Sequence, residues 1–104
     1  MTTSYDHGRE LLYKGVLGLA SGQEGVKKRL ENAFVYELSG IREDELPPEL
    51  WKKFAPLLKE VTATPTVGKE GTIAASINKM TTKRAVEIAD EVFSIFVQLL
   101  VVKG

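Results

Sequence analysis

The chain's single histidine, His7, stands between Asp6 and Glu10 near the start of the sequence. A histidine beside carboxylates is the least equipment for a general base or for one arm of a metal site. Nucleophilic catalysis needs a second positioned partner, and no residue pattern nominates one. His7 therefore reads as a solvated side chain at a helix start. Carboxylates gather twice more, as Glu43, Asp44, Glu45 and Glu49 around Pro47-Pro48 and as Glu87, Asp90 and Glu91 further on. Metal sites in helical bundles use inward-facing Glu with a Glu-x-x-His pair, which is absent here. The alternating Asp/Asn loop with a central glycine that holds calcium is absent too. Glu45 and Glu49 instead suit the positive end of the helix that follows the prolines. No cofactor and no metal is expected, and with no cysteine the chain has no disulfide, thiolate ligand or thiol nucleophile.

Two further segments invite chemistry. Gly68-Lys69-Glu70-Gly71-Thr72 precedes a helical pattern, and helix N-termini attract phosphate. The spacing is not that of a P-loop, since no Gly-Lys-Ser/Thr follows and no strand precedes. Gly15, Gly18, Gly22 and Gly25 likewise lack the strand that a dinucleotide fingerprint needs. Residues 73–88 resemble a degenerate helix-turn-helix, in which Lys79, Lys83 and Arg84 would meet phosphates and base edges. The turn lacks the glycine common in that motif, and the second helix is apolar enough to be a core element. Nucleic-acid binding is thus the alternative and not the favoured reading.

Elements that would position these groups are set by apolar periodicity. Residues 6–20 carry Leu11, Leu12, Val16 and Leu19 at helical spacing. Gly15 and Gly18 each cost this helix about 1 kcal/mol relative to alanine, and either admit a neighbour closely or mark a break. Ser21 and Glu24 have capping-box spacing, which predicts a second helix over 22–39 with Val26, Leu30, Ala33, Phe34 and Leu38 inward. Gly40 suits a left-handed stop. Pro48 fits the first turn of a third helix, whose face is Leu50, Phe54, Leu57, Leu58 and Val61, with Trp51 beside it. Pro56 interrupts that pattern and predicts a kink or two pieces. Residues 62–71 read as the longest loop, Thr72 as the cap of a short helix through Met80, and Thr81 or Thr82 as the cap of a long final helix.

That last helix carries the clearest signal. Its apolar residues recur at three- and four-residue steps from Ala85, and over residues 95–102 only Gln98 is strongly polar. A helix apolar nearly all round needs cover on more than one side. The expected architecture is all-α: one domain spanning residues 1–104, a compact bundle of about five helical segments with the long C-terminal helix as central or interface element. Fourteen basic and fourteen acidic residues cancel, which offers no general attraction to nucleic acid or anionic lipid. Residues 1–10 are polar, unlike a signal peptide, and the final apolar run is about half a membrane span. The sequence thus points to a cytoplasmic, non-enzymatic helical module acting on a protein partner. Its expected mode is a homodimer through Phe93, Phe96, Val97, Leu99, Leu100 and Val101.

Overall fold

In the computed structural model, which describes residues 5–65 and 69–101, the chain forms helices α1 (Asp6–Ser21), α2 (Val26–Tyr36), α3 (Pro48–Val61), α4 (Lys69–Lys79) and α5 (Thr82–Leu100). Two short 3-10 turns, Leu38–Gly40 and Glu43–Glu45, lie between α2 and α3, and the described residues include no strand. No helix among them is long and apolar enough to cross a membrane. α5 packs on α1, α2 and α3, while α4 packs mainly on α2 and α3. Ala85, Ile88, Val92, Ile95 and Leu99 are the buried stripe of α5, so the helix with the strongest apolar signal is one that α1, α2 and α3 share.

α1 lies close to the segment after α2 because its buried stripe is Gly8, Leu12 and Gly15. A Cβ at Gly8 would sit 2.2 Å from the Glu45 carbonyl oxygen, and one at Gly15 would sit 2.7 Å from the Leu38 side chain. Close approach, and not a break, is therefore what these glycines provide. At Gly18 a Cβ would meet nothing within 4 Å, so that position is a glycine in open space.

Several boundaries differ from the sequence expectation. Ser21 is the last residue of α1 and donates its hydroxyl to the Leu17 carbonyl at 2.7 Å, so it forms no capping box with Glu24. Arg29 holds this junction instead: its guanidinium donates to the carbonyls of Glu24 at 2.8 Å and of Leu19. α2 ends at Tyr36 and the chain tightens into the turn at Leu38, which is fully buried. Gly40 closes that turn without left-handed backbone. α3 starts at Pro48 as expected and runs unbroken past the exposed Pro56. Its inward face stacks Phe54 on Phe34 of α2, with ring centroids 6.3 Å apart, while the half-buried Trp51 tilts against Phe54 at 5.8 Å.

α4 begins at Lys69, three residues before the expected cap, so Thr72 lies inside the helix. Residues 66–68 of the expected loop, Gly68 of the phosphate-type segment included, fall outside the described residues, as does Val102. Ser76 is the buried polar side chain of the described core. Its hydroxyl donates to the Thr72 carbonyl at 2.7 Å and accepts from the Thr64 amide at 2.9 Å. This satisfies a polar group that burial would otherwise penalise and ties the chain after α3 to α4. α5 opens on Thr81, whose hydroxyl accepts the Arg84 amide at 3.0 Å.

Candidate interaction surface

The helical repeat of 3.6 residues divides α5 into two apolar stripes. One is the core stripe described above. The other, roughly 130° round the helix by that repeat, is Val86, Phe93, Val97 and Leu100, which are 43%, 54%, 42% and 54% exposed. Phe96 bridges the two: it is half-buried against the core, and its ring tilts on Tyr13 of α1 with centroids 6.2 Å apart. Tyr13 and Leu17 of α1 are themselves about half exposed, and they lie four residues apart on one side of that helix. Beside them a shallow apolar groove of about 290 Å3 is lined by Asp6, Arg9, Glu10, Tyr13, Phe96 and Leu100. Its charged edge is internally paired, Arg9 with Asp6 at 2.8 Å and Lys14 with Glu10 at 3.1 Å. The Glu10 carboxylate raises the Lys14 pKa above its ordinary value.

Of the six expected interface residues, Phe93, Val97 and Leu100 lie on this stripe and Phe96 borders it, while Val101 is exposed just past the end of α5. Phe93, Val97, Leu100 and Val101 are exposed, and Phe96 is half-buried. Leu99 leaves the set: it has no exposed surface and completes the core stripe of α5. One residue along a helix is a rotation of about 100°, enough to separate Leu99 from Leu100. Tyr13, Leu17 and Val86 belong to the surface and were missed. Their signal was present, as an apolar pair at four-residue spacing in α1 and an apolar residue one heptad before Phe93.

Of the other candidate groups, Arg84 and His7 bond across elements. Arg84 grips Glu60 of α3 with two nitrogens, Nε to Oε2 at 2.9 Å and Nη2 to Oε1 at 2.7 Å. It also reaches Glu87 at 3.1 Å and Glu91 at 3.4 Å. The Glu60 bond foremost raises the Arg84 pKa, and Arg84 in turn outweighs partial burial to hold the Glu60 carboxyl below its usual range. Arg84 thus bonds three carboxylates while still lining the cleft between α3 and α5. Lys79 and Lys83 are exposed on either side of Met80 and Thr81. Those two residues are the whole connection between α4 and α5, shorter than the three or four of a helix-turn-helix.

His7 is not merely solvated. Its Nδ1 meets Glu45 Oε2, and Glu45 Oε1 accepts the Arg42 amide at 2.9 Å. Burial opposes the Glu45 charge, but the amide and the imidazole outweigh it and hold the carboxyl below its ordinary range. The pair fastens the start of α1 to the turn at Glu43–Glu45. Among the described residues, no three His, Asp or Glu side chains converge as a metal would require.

Two further clefts hold polar side chains. Between α3 and α5, in a cleft of about 310 Å3, Lys53 Nζ donates to Gln98 Oε1 at 2.8 Å and Gln98 Nε2 to Ser94 Oγ at 3.0 Å. Between α1 and α2, a cleft of about 260 Å3 is lined by Arg29, Asn32 and Tyr36 among others. Compared with known protein families, curated proteins and solved structures, the chain shows no significant match.

Proposed function

We propose that this chain is a non-enzymatic helical interaction module that self-associates through the exposed stripe of α5 and the adjoining side of α1. The observation that carries the reading is the stripe itself: Val86, Phe93, Val97 and Leu100 run the length of α5 outside a core that is already complete. Exposed apolar side chains scattered singly are ordinary on a protein surface, whereas a contiguous patch flanked by charge marks a contact surface. The groups that chemistry would recruit are engaged in holding elements together, His7 with Glu45 and Arg84 with Glu60. A cytoplasmic homodimer is the setting this reading assigns.

Sedimentation velocity between about 1 and 100 μM, a range that brackets ordinary homodimer affinities, tests it. The expected result is a species of twice 11.5 kDa. Leu100→Asp should weaken the dimer at least about tenfold while leaving helicity intact, because the substitution desolvates a charge at the contact. A single species of 11.5 kDa throughout that range would overturn the proposal.

A further inference from the structure

We propose that the occupant of the α5 stripe is α5 of a second copy, running antiparallel, with Phe93 on the two-fold axis. This rests on the self-association reading and adds to it a geometry that can fail separately. Val86, Phe93, Val97 and Leu100 are spaced by seven, four and three residues. That is the pattern by which two helices interlock at a shallow crossing angle of about 20°. Phe93 is the midpoint, with Val86 seven residues before it and Leu100 seven after. The stripe spans roughly 21 Å at the helical rise, so both ends meet an apolar residue of the partner in one register. Across an antiparallel two-fold, Phe93 faces Phe93 of the partner subunit, and Val86 faces Leu100 of the partner subunit.

Charge selects this direction over the parallel one. Lys83 and Asp90 are exposed beside the stripe, Asp90 at the position of the repeat between Val86 and Phe93. A parallel pair would set each opposite its own copy and bring the two positive helix ends together, both repulsive. The antiparallel pair sets helix ends of opposite sign together and moves each Asp90 away from its own copy, level with Phe96 of the partner subunit. A net charge of zero adds no overall repulsion between copies.

The area fits as well. Val86, Phe93, Val97 and Leu100 with Tyr13 and Leu17 of α1, each about half exposed, offer on the order of 500 Å2 of apolar surface by ordinary side-chain sizes. A standard interface buries about 800 Å2 per partner, about 65% of it apolar in homodimers, which is the same figure. The paired edge Asp6–Arg9 and Glu10–Lys14 supplies a polar rim.

The chain has no cysteine, so single-cysteine variants report the geometry without background. Facing Cα atoms of two packed helices lie roughly 4–6 Å apart, within disulfide reach. Under mild oxidation Phe93→Cys should cross-link at least about tenfold faster than Tyr36→Cys, a collision control on α2. An equimolar mixture of Val86→Cys and Leu100→Cys should give the mixed disulfide, resolved by mass spectrometry, at least about tenfold faster than either variant gives its own homodimer. Circular dichroism confirms that each variant folds; where one does not, the mixture of Ala89→Cys and Val97→Cys, which the same register sets level, takes its place, and Val97→Cys alone is expected to stay uncross-linked with itself. If sedimentation shows a dimer but Val86→Cys cross-links with itself, or Phe93→Cys is no faster than the control, the antiparallel geometry is overturned while self-association stands. If sedimentation shows only a monomer, both are overturned.

Discussion

Two glycines of one helix should respond to alanine in opposite senses. Alanine gains about 0.5–1 kcal/mol over glycine in a helix interior through propensity alone. At Gly18 nothing lies within 4 Å of the added Cβ, so Gly18→Ala should show that gain undiminished. At Gly8 the same Cβ would sit 2.2 Å from the Glu45 carbonyl oxygen and 3.1 Å from its carbon. Backbone, unlike the end of a side chain, does not rotate away. α1 or the turn at Glu43–Glu45 would have to move by about 1 Å, and overpacking of this kind costs about 1–3 kcal/mol. The propensity gain offsets part of that, leaving Gly8→Ala destabilised by roughly 1–2 kcal/mol. In a domain of this size 1 kcal/mol moves the midpoint by about 4–8 °C, so thermal melts at one protein concentration should separate the two variants by about 10 °C. His7→Ala in the Gly8→Ala background should cost less than in the wild type, because the displaced turn has already lost its His7–Glu45 contact. A Gly8→Ala protein as stable as the wild type would refute the close seating of α1 on this turn.

Two other outcomes are expected. Ser76→Ala leaves the Thr64 amide without its acceptor and should destabilise by about 1–3 kcal/mol, with hydrogen exchange at Thr64 accelerated well beyond that at the core of α4; unchanged exchange would remove the Ser76 bridge. Glu60, whose carboxyl titrates below its ordinary 4.5 in the fold because Arg84 bonds it, contributes stability that is present above that ordinary value and lost as pH falls through the folded one. Thermal midpoints from pH 6 to 3 should therefore decline more gently for Glu60→Gln than for the wild type, and identical slopes would show that the Arg84 contact does not couple to folding.

The helical class was legible because each apolar face repeats at the helical period within its own segment: Leu50, Phe54, Leu57 and Val61 in α3 are the buried set that their spacing announced. Boundaries were less legible where distant groups decide them. Nothing near Ser21 in sequence reveals that Arg29 will occupy the carbonyls of Leu19 and Glu24, and local capping chemistry pointed to a different start for α2. The same holds for His7 and Arg84, whose partners Glu45 and Glu60 lie 38 and 24 residues away. Within α5 the sequence marked the right helix but merged its two apolar stripes. Leu99 and Leu100 have the same chemistry, and only the helix rotation fixed by the core separates them.

That α5 is the shared face of the bundle also has a bearing on how the chain is made. α1 packs on α2 and on α5, with Tyr13 against Phe96, so part of its apolar face waits for α5 to emerge. At ribosomal rates of about 5–20 residues per second this interval is on the order of ten seconds. Throughout it the apolar faces of α1, α2 and α3 lack the share of their cover that α5 supplies. The docking of α5 is accordingly a late, closing step for this bundle, and the interval before it is when a nascent chain of this sequence has most to gain from a chaperone.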